Sequence, residues 1–560
     1  MDKNVCEVML EVLADAGVKY IFSIPGEGIN EIVEAIRKQD RIKMILVRHE
    51  ETGAFSASAI AKLTGGLGVC MGTSGPGAIH LLNGLYDAKH DHASVLAITG
   101  QVETRYQGTE MQQEVDLHQL FEDVSIYNQV IQTSEQMPRL VEEACKAAIN
   151  KKGVAHLVLP INVAKENVPE PKRKSKFLTS TPRLMPPIEE LERAAQLLNG
   201  SKKVAILAGI GAKNASLELL HLAELLKAPI IKALRGKDIL PDNHPYLLGG
   251  IGLLGTRPAV KAINNCDCLL MAGTDFPYEE FYPEDTPAIQ IDIFADQIGK
   301  RYPVEVGLVG DAAPTLAALS GLLIKNEDTS FLEELQDDMK NWKEKMEKEE
   351  KSDAVPIRPQ ALAASISELA DDNAIFCCDT GNVTVWSARN IHIRGNQLFT
   401  LSGGLASMAF GLPAAIGAKL AFPDRQVIAL VGDGGFTMLM GDFLTAVQYN
   451  LPIVIVIFNN HKLGMIQMEQ EVKGYPEFKT KMHNPDFSQF AMICGGEGEK
   501  VTQPERLEGA ITKALQSGKP YILDVEVNPE ELAMPPEINL KQAMGYARAK
   551  VLESFGKGDS

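Results

Sequence analysis

The residues best suited to chemistry stand in two places far apart in the chain. Gly432-Asp433-Gly434 closes the strand-like run "VIALV", and Asn459-Asn460 closes the next run, "PIVIVIF". Glycines after a strand let backbone N–H groups approach a phosphate, and a following helix, expected in "GDFLTAVQY", turns its positive N-terminus toward it. A carboxylate and an amide oxygen at adjacent strand ends can share a hard cation. Mg2+ suits such a pair, because it takes oxygen ligands and is often held by few protein groups plus diphosphate oxygens. Gly-Asp-Gly alone is more often only a tight turn. With the paired asparagines after the next strand, a diphosphate–metal site is the better reading, Asp433 and Asn460 being the metal ligands.

The second place is "RHEETGAF" (Arg48–Phe55), between the strand-like "IKMILV" and the small, apolar, helically spaced "SASAIAKLTGG". Two carboxylates therefore stand at the mouth of a buried helix. A carboxylate buried without a partner is costly, or its pKa rises until the group is neutral. Glu51 fits a surface or salt-bridged acid. Glu50 is the one kept for chemistry.

A large framework must position these groups. At 560 residues the chain exceeds one core, and domains of roughly 100–200 residues suggest three or four. The composition, 45% hydrophobic and 23% charged, is that of a globular protein. A net charge of −18, with no basic patch interleaved with aromatics, excludes nucleic acid as the main partner. The eight cysteines are scattered, and the close pairs Cys266/Cys268 and Cys377/Cys378 lack zinc or redox spacing. They read as buried thiols of a reducing compartment. The start, "MDKNVCEVMLEVLADAGVKY", has no basic and then apolar leader, and no apolar run approaches the ~18 residues of a membrane span. The expected location is cytoplasmic.

Two stretches read as linkers: 166–187, rich in proline and charge, and 337–359, a charged run expected to form a solvated helix and then a loop. They divide the chain into domains at 1–165, 186–330 and 355–535, with a tail at 536–560. Within each block, strands that are apolar throughout ("SVLAIT", "KVAILAG", "QVIALVG") alternate with helical patterns. The fold class is α/β, with three doubly wound parallel-sheet domains. "GTSGPGAIHLLNGLYDAKHDHASVLAITG" and "VGDGGFTMLMGDFLTAVQYNLPIVIVIFNN" share one plan, which suggests that the first and third blocks are related and face one another. In the middle block Gly209 and Gly211 follow a strand. That is the usual place for close approach to a dinucleotide, although the spacing is not a full Gly-x-Gly-x-x-Gly and a plain structural turn reads equally well.

The Gly-Asp-Gly…Asn-Asn pattern resembles the signature of thiamine-diphosphate enzymes. "RHEETGAF", "GTSGPGAIHLLNGLYDA", "GGLASMAFGLPAAIGAKLAFPDRQVIALVGDGGF" and "QIDIFADQIGK" are similar to the pyruvate oxidase and acetolactate synthase group, nearly end to end. This resemblance implies three cofactors: thiamine diphosphate, Mg2+ and FAD. The first domain would bind the aminopyrimidine, the middle domain FAD and the third the diphosphate, with the third domain of one subunit facing the first of another. A homo-oligomer follows, expected as a tetramer (a dimer of dimers).

By the same resemblance Glu50 hydrogen-bonds the pyrimidine nitrogen and helps activate the cofactor, and Gln113 acts beside it. Ala406, Ser407 and Met408 would bind thiamine diphosphate, Met408 lying under it so that its two rings meet. Gly434 and Gly435 would join Asp433 at the diphosphate, with Asn460, Leu463, Gly464, Met465 and Ile466 on the facing loop. The FAD contacts implied are Gly209 and Gly211; Ile251, Gly252, Leu253 and Leu254; Thr274, Asp275, Phe276, Pro277 and Tyr278; and Asp292 with Ile293, Asp292 accepting from a ribose or ribityl hydroxyl.

Acetolactate synthases typically carry an Arg-Phe-Asp-Asp-Arg run where this chain reads "GTDFPYEEFYP", which is similar to pyruvate oxidases instead. The activity implied is oxidative decarboxylation of pyruvate to acetate or acetyl phosphate and CO2, through a hydroxyethyl intermediate on the cofactor that passes two electrons to FAD and on to quinone or oxygen. The alternatives are a non-redox carboligase of acetolactate synthase type and a catalytically silent flavin-binding relative. Gln112 replaces a family aromatic, and Met465 stands where quinone-reducing relatives have one. In the tail, Leu540, Met544, Ala547, Val551 and Phe555 recur at helical spacing. The stripe is expected to pack on the protein's own surface, with at most peripheral membrane contact.

Overall fold

A computed structural model describes residues 3–168, 183–531, 533, 535–536 and 540–554. It contains three six-stranded sheets in which every recorded strand pairing is parallel. The first sheet uses β1–β6: Tyr20–Ser23, Lys43–Leu46, Gly68–Gly72, Val95–Gln101, Tyr127–Val130 and Val154–Pro160. The middle sheet uses β7–β12: Val204–Ala208, Ile230–Lys232, Leu247–Gly250, Cys268–Ala272, Ala288–Asp292 and Val306–Val309. The third uses β13–β18: Ile375–Cys378, Leu398–Thr400, Val427–Gly432, Val454–Asn459, Glu497–Val501 and Tyr521–Glu526. Central strands such as β4, β6 and β7 are buried along their whole length, as strands covered on both faces must be.

The first sheet runs β2-β1-β3-β4-β6-β5 and the third β14-β13-β15-β16-β18-β17, which is one order repeated. The middle sheet runs β12-β11-β10-β7-β8-β9. Counted within the domain and read from its other edge, it differs from the flanking sheets and places β7 and β10 side by side at its centre, as in dinucleotide-binding sheets. Its strand order reverses between the parallel neighbours β7 and β10, where Gly209 and Gly211 meet Gly273. A Cβ on Gly209 would stand 2.5 Å from the Gly273 carbonyl oxygen, and one on Gly211 2.7 Å from its Cα. These glycines let two turns pack backbone to backbone.

The first and third units share one hydrophobic cluster, from Phe22 and Phe55 through Phe410 to Ile522. At its centre the helix Glu50–Thr64 crosses the helix Gly411–Ala421 through small residues; a Cβ on Gly417 would lie 2.5 Å from the Ser56 carbonyl oxygen. The Ser56 hydroxyl donates to Pro413 O at 2.8 Å, and Asp442 accepts from Thr52 Oγ1 (2.6 Å) and from the Arg48 amide (2.7 Å).

All three units meet at Asp91, which is almost fully buried. Lys62 of the first unit approaches it at 2.5 Å and Arg235 of the middle unit at 3.1 Å, while the third unit donates the amides of Gly403 (3.0 Å) and Gly404 (2.7 Å). Lys62 also holds Asp87 at 2.7 Å and donates to Leu401 O at 3.0 Å. Burial works to raise both carboxyls. At Asp91, Arg235 and Lys62 outweigh it and hold the group below the ordinary range, whereas Asp87 stays raised.

Two expectations change and one is met. The helix expected in "GDFLTAVQY" is present as Phe443–Gln448, but an earlier helix precedes it, starting at Asp433 itself (Asp433–Leu439). The charged run from 337 is met as expected: it forms the solvated part of the helix Ser330–Glu350, with Met346 its one buried residue there, and a loop follows, while the helix docks mainly through Phe331, Leu332 and Leu335 ahead of the run. In the tail helix Leu540–Ser554, Met544 and Val551 of the expected stripe are 65% and 55% exposed and Ala547 faces out with them, while Ala549 is buried. The reason is Gly545, where a Cβ would stand 2.0 Å from Val472 O, so the helix docks by its small residues. Phe555 and residues 169–182 of the first linker lie outside the described residues. No helix among the described residues is long and apolar enough to cross a membrane.

Removing one member of a buried charge network strands its partners, at a cost of about 3–5 kcal/mol. Asp91→Ala is therefore expected to lower the melting temperature of all three domains together. Calorimetry that showed one domain melting early with the other two unchanged would contradict the shared role.

Candidate functional site

Glu50 is the first residue of the helix Glu50–Thr64, whose N-cap His49 accepts from the Glu51 amide through its side chain. Glu50 is 7% exposed, and its Oε2 lies 3.0 Å from His80 Nδ1. Its Oε1 comes so near the backbone of Gly77 that a Cβ there would stand at 3.1 Å. His49 stacks on His80 at 4.4 Å between centroids. Glu51 is more exposed and accepts from Asn83 Nδ2 at 2.6 Å. His80 ends the short helix Pro76–His80, and nothing in "GTSGPGAIH" singles it out by residue type or spacing. Gln113 is exposed, with a left-handed φ of 67°, on the loop over Gly75, where a Cβ would meet its carbonyl oxygen at 2.9 Å.

The second constellation sits at the carboxyl ends of β15 and β16. Gly432 pairs with Phe458, so Asp433 and Asn459 emerge side by side. Asp433 is 1% exposed, and its Oδ2 accepts from Asn484 Nδ2 at 2.6 Å. The same Nδ2 reaches Asn459 Oδ1 at 3.0 Å, and Asn459 in turn donates to the buried Asp524 at 2.9 Å. Burial raises the Asp433 carboxyl, while Asn484 and His461 work to lower it. Asn460 Oδ1 accepts from the Lys462 amide at 3.1 Å. Gly464 lies against both Asn460 and Asn382; a Cβ on it would stand 2.4 Å from Asn382 Nδ2.

Met408 is presented between two alanines in left-handed backbone, Ala406 at φ 55° and Ala409 at φ 72°. Such backbone costs a non-glycine residue on the order of 1 kcal/mol and persists where the surroundings impose it. Met408, Leu463 and Met482 converge on Gly434, whose Cβ would meet them at 3.3, 2.8 and 3.2 Å. Ser407 Oγ accepts from Asn83 at 3.0 Å, joining this loop to the first unit. Met465 packs against the core and Ile466 is 45% exposed.

Three buried acceptors around these turns have no partner among the described residues: Asp379 Oδ2, Asn382 Oδ1 and Asn484 Oδ1. Asp379 presses on Gly435, where a Cβ would stand 2.4 Å from its Oδ2. Oxygen acceptors around a carboxylate and an amide suit a hard cation, and the glycine turn opening a helix suits the anion that accompanies it. The residues fit a diphosphate with Mg2+. Sequence reasoning missed Asp379, Asn382 and Asn484, because nothing local marks a polar residue that is paired only in space.

At the middle sheet the expected loops converge on its carboxyl edge. Gly252 (φ 84°) packs on Phe276, with a Cβ position 3.1 Å from the ring, and Arg235 stands 3.6 Å from Asp275. Thr274 is buried, its Oγ1 accepting from the Phe276 amide at 3.3 Å; Tyr278 is exposed, beside Pro277. Ile251 is buried, while Arg389 donates to Leu253 O at 2.9 Å and Leu254 O at 3.4 Å. Asp292, followed by Ile293 at the end of β11, is pushed up to about 6 by burial, against the Phe294 amide that bonds it. Such a carboxyl is suited to bonding a hydroxyl. Among the described residues no hydrogen bond or ion pair joins Glu50 or His80 to Asp433, Asn460 or Asn484.

Three family models match the chain in order: the N-terminal TPP binding domain of thiamine pyrophosphate enzymes over residues 3–120, their central domain over 191–319 and their C-terminal TPP binding domain over 379–525. A Bacillus subtilis protein, YdaP, provisionally described as thiamine pyrophosphate-containing, is 44% identical over 99% of this chain and 96% of its own length. The chain belongs to the thiamine pyrophosphate enzyme family. Within it, this enzyme is 33% identical to a pyruvate oxidase of Lactiplantibacillus plantarum (96% of this chain, 91% of the relative). It is 32% identical to acetolactate synthase 1 of Nicotiana tabacum (94% and 82%). It is a thiamine-pyrophosphate-dependent enzyme with three parallel-sheet domains.

Asp379 offers a test of the diphosphate turn. Burial pushes its carboxyl up to about 7, against the backbone amides of Thr380, Phe410 and Ala409. A carboxyl whose folded pKa lies above its unfolded value of about 3.9 binds its proton more tightly in the fold, so its contribution is full below that value and is lost as pH rises through about 7. Asp379→Asn is expected to raise the melting temperature of the cofactor-free enzyme more at about pH 8 than at about pH 5. An equal shift at both would exclude the titration.

Proposed function

We propose that this enzyme oxidatively decarboxylates pyruvate to acetate (or acetyl phosphate) and CO2, with FAD in the middle domain taking the two electrons and passing them to quinone or oxygen. The observation that carries the reading is the edge of the middle sheet. A dinucleotide-type sheet ends there in a loop rich in aromatics, Phe276, Tyr278, Phe281 and Tyr282, which resembles pyruvate oxidases where acetolactate synthases carry arginines.

Bound thiamine diphosphate supplies the electron sink on which a 2-oxo acid loses CO2, and FAD supplies the two-electron acceptor. In this reading Asp433 and Asn460 hold Mg2+, and the Gly434 and Gly435 turn receives the diphosphate. Ser407, Met408 and Leu463 line the seat beside it, with Gly464, Met465 and Ile466 on the facing loop. Glu50 holds a proton at the pyrimidine nitrogen. Its near-complete burial limits its contact with water, and His80 Nδ1 lies 3.0 Å from its Oε2, on the same carboxyl. Gln113 stands over Gly75, placed to offer its amide to the substrate.

That no hydrogen bond or ion pair among the described residues joins the two constellations within one chain supports a site completed between subunits, Glu50 from one copy facing Asp433 from another. Exposed Ile79, Met111 and Met438 border these segments and suit such an interface. A homotetramer built as a dimer of dimers is the assembly proposed, with domains bounded near 165, 186, 330 and 355.

The test is anaerobic mixing of pyruvate with the enzyme loaded with thiamine diphosphate, Mg2+ and FAD, following flavin absorbance near ~450 nm. Rapid bleaching is expected, slowed about 10^2- to 10^4-fold in Glu50→Gln, the range a positioned proton-transfer group contributes. A flavin that stays oxidised while acetolactate accumulates would make the enzyme a carboligase.

A further inference from the structure

The residues proposed above to hold the cation stand at the ends of neighbouring strands, and a further side chain ties those ends together. Asp433 follows β15, while Asn459 closes β16 and is followed by Asn460. Asn484 reaches both ends from a segment later in the chain. Its Nδ2 donates to Asp433 Oδ2 at 2.6 Å and to Asn459 Oδ1 at 3.0 Å, with His461 Nδ1 farther off at 3.5 Å. A carboxamide nitrogen has two hydrogens, so the two shorter bonds use both. The bond to Asp433 is the stronger, because its acceptor is charged.

This strap is itself held from both sides. The segment that carries Asn484 runs antiparallel to the loop after Asn460: the Leu463 amide donates to Thr480 O and the Met482 amide to His461 O, each at 2.8 Å. On the other side Asp524 of β18 accepts from Asn459 Nδ2 at 2.9 Å and from the Phe487 amide at 3.3 Å. Asn459 cannot turn its amide over without losing the bonds to both Asn484 and Asp524. In the series Asp433–Asn484–Asn459–Asp524 each group is therefore oriented by the next, and Asp433, Asn459 and Asp524 are all buried. What the series fixes is the distance between the end of β15 and the end of β16, and with it the spacing of the two proposed ligands. Asn484 takes only Oδ2 of Asp433, which leaves the other carboxylate oxygen for a cation.

That spacing matters more to one cation than to another. Mg2+ needs near-ideal octahedral contacts at about 2.0–2.1 Å, whereas Ca2+ accepts irregular ones at about 2.3–2.6 Å. Ligands that are strapped together suit the smaller ion. Ligands that can part serve the larger one equally well.

We propose that Asn484 is a positioning residue that sets the cation selectivity of the diphosphate site: by tying Asp433 to the end of β16 it holds the ligands at the spacing of Mg2+ and disfavours Ca2+. The proposal rests on the reading that Asp433 and Asn460 hold the cation. Asn484 acts through Asp433 and Asn459 and is not itself a ligand.

The test is a pair of calorimetric titrations of the full-length enzyme, with saturating thiamine diphosphate and FAD, using Mg2+ in one and Ca2+ in the other. In Asn484→Ala, Mg2+ is expected to bind about 10- to 100-fold more weakly, the range for losing a group that orients a metal ligand. Ca2+ is expected to weaken far less, so the preference for Mg2+ falls. Asn484→Ser should lose the preference as well, since a hydroxyl has one hydrogen and cannot bond both acceptors. It keeps the test open if the alanine variant misfolds. A general loosening of the fold would weaken both ions alike, so equal weakening of Mg2+ and Ca2+ overturns the proposal, as does an unchanged affinity for Mg2+. Asp433→Asn separates this failure from failure of the site. Mg2+ binding undiminished in Asp433→Asn would take the cation away from Asp433 and overturn the reading and the proposal together. Mg2+ binding lost there, with the preference intact in Asn484→Ala, overturns only the role of Asn484.

Discussion

A carboxylate with almost no exposed surface stays ionised only where cations and amides surround it, and at Asp91 these come from all three domains. Lys62 rises from the helix that Glu50 begins, Arg235 from the turn after β8, and the Gly403 and Gly404 amides from the loop that leads to Met408. The network therefore ties together the helix, the turn and the loop on which the candidate sites are built. A domain that rotated away would leave buried charge behind it, at a cost of about 3–5 kcal/mol.

Around that anchor the site is made of groups left short of partners. Asp379, Asn382 and Asn484 each keep a buried acceptor free beside a glycine turn, and two alanines accept left-handed backbone to hold Met408 forward. Local rules of folding are broken within the stretch that the C-terminal TPP binding domain model matches. Buried acceptors without partners are what a site for an anion and its cation would keep in reserve.

Much of this was legible in the chain. Strands buried on both faces read as continuous apolar runs, so three parallel sheets followed from β4, β7 and β15 alone. Gly-Asp-Gly stood out only because paired asparagines close the next strand, and Glu50 because an acid opens a buried helix. The helix starting at Asp433 was hidden, since two glycines argue locally against a helix that tertiary packing then imposes. His80 and Asn484 were invisible for a different reason: their partners lie 30 and 51 positions away. The tail misled because Met544 and Val551 suggested an apolar stripe, whereas docking was decided by Gly545, the residue with no side chain.

The first and third sheets have the same strand order, yet they offer different groups to a ligand: one carries an acid at the start of a helix, the other an acid and amides at strand ends. Thiamine diphosphate has two unlike ends. One framework used twice with different end groups gives a ligand of that kind two unlike half-sites, so the asymmetry lies in a few side chains and not in the scaffold.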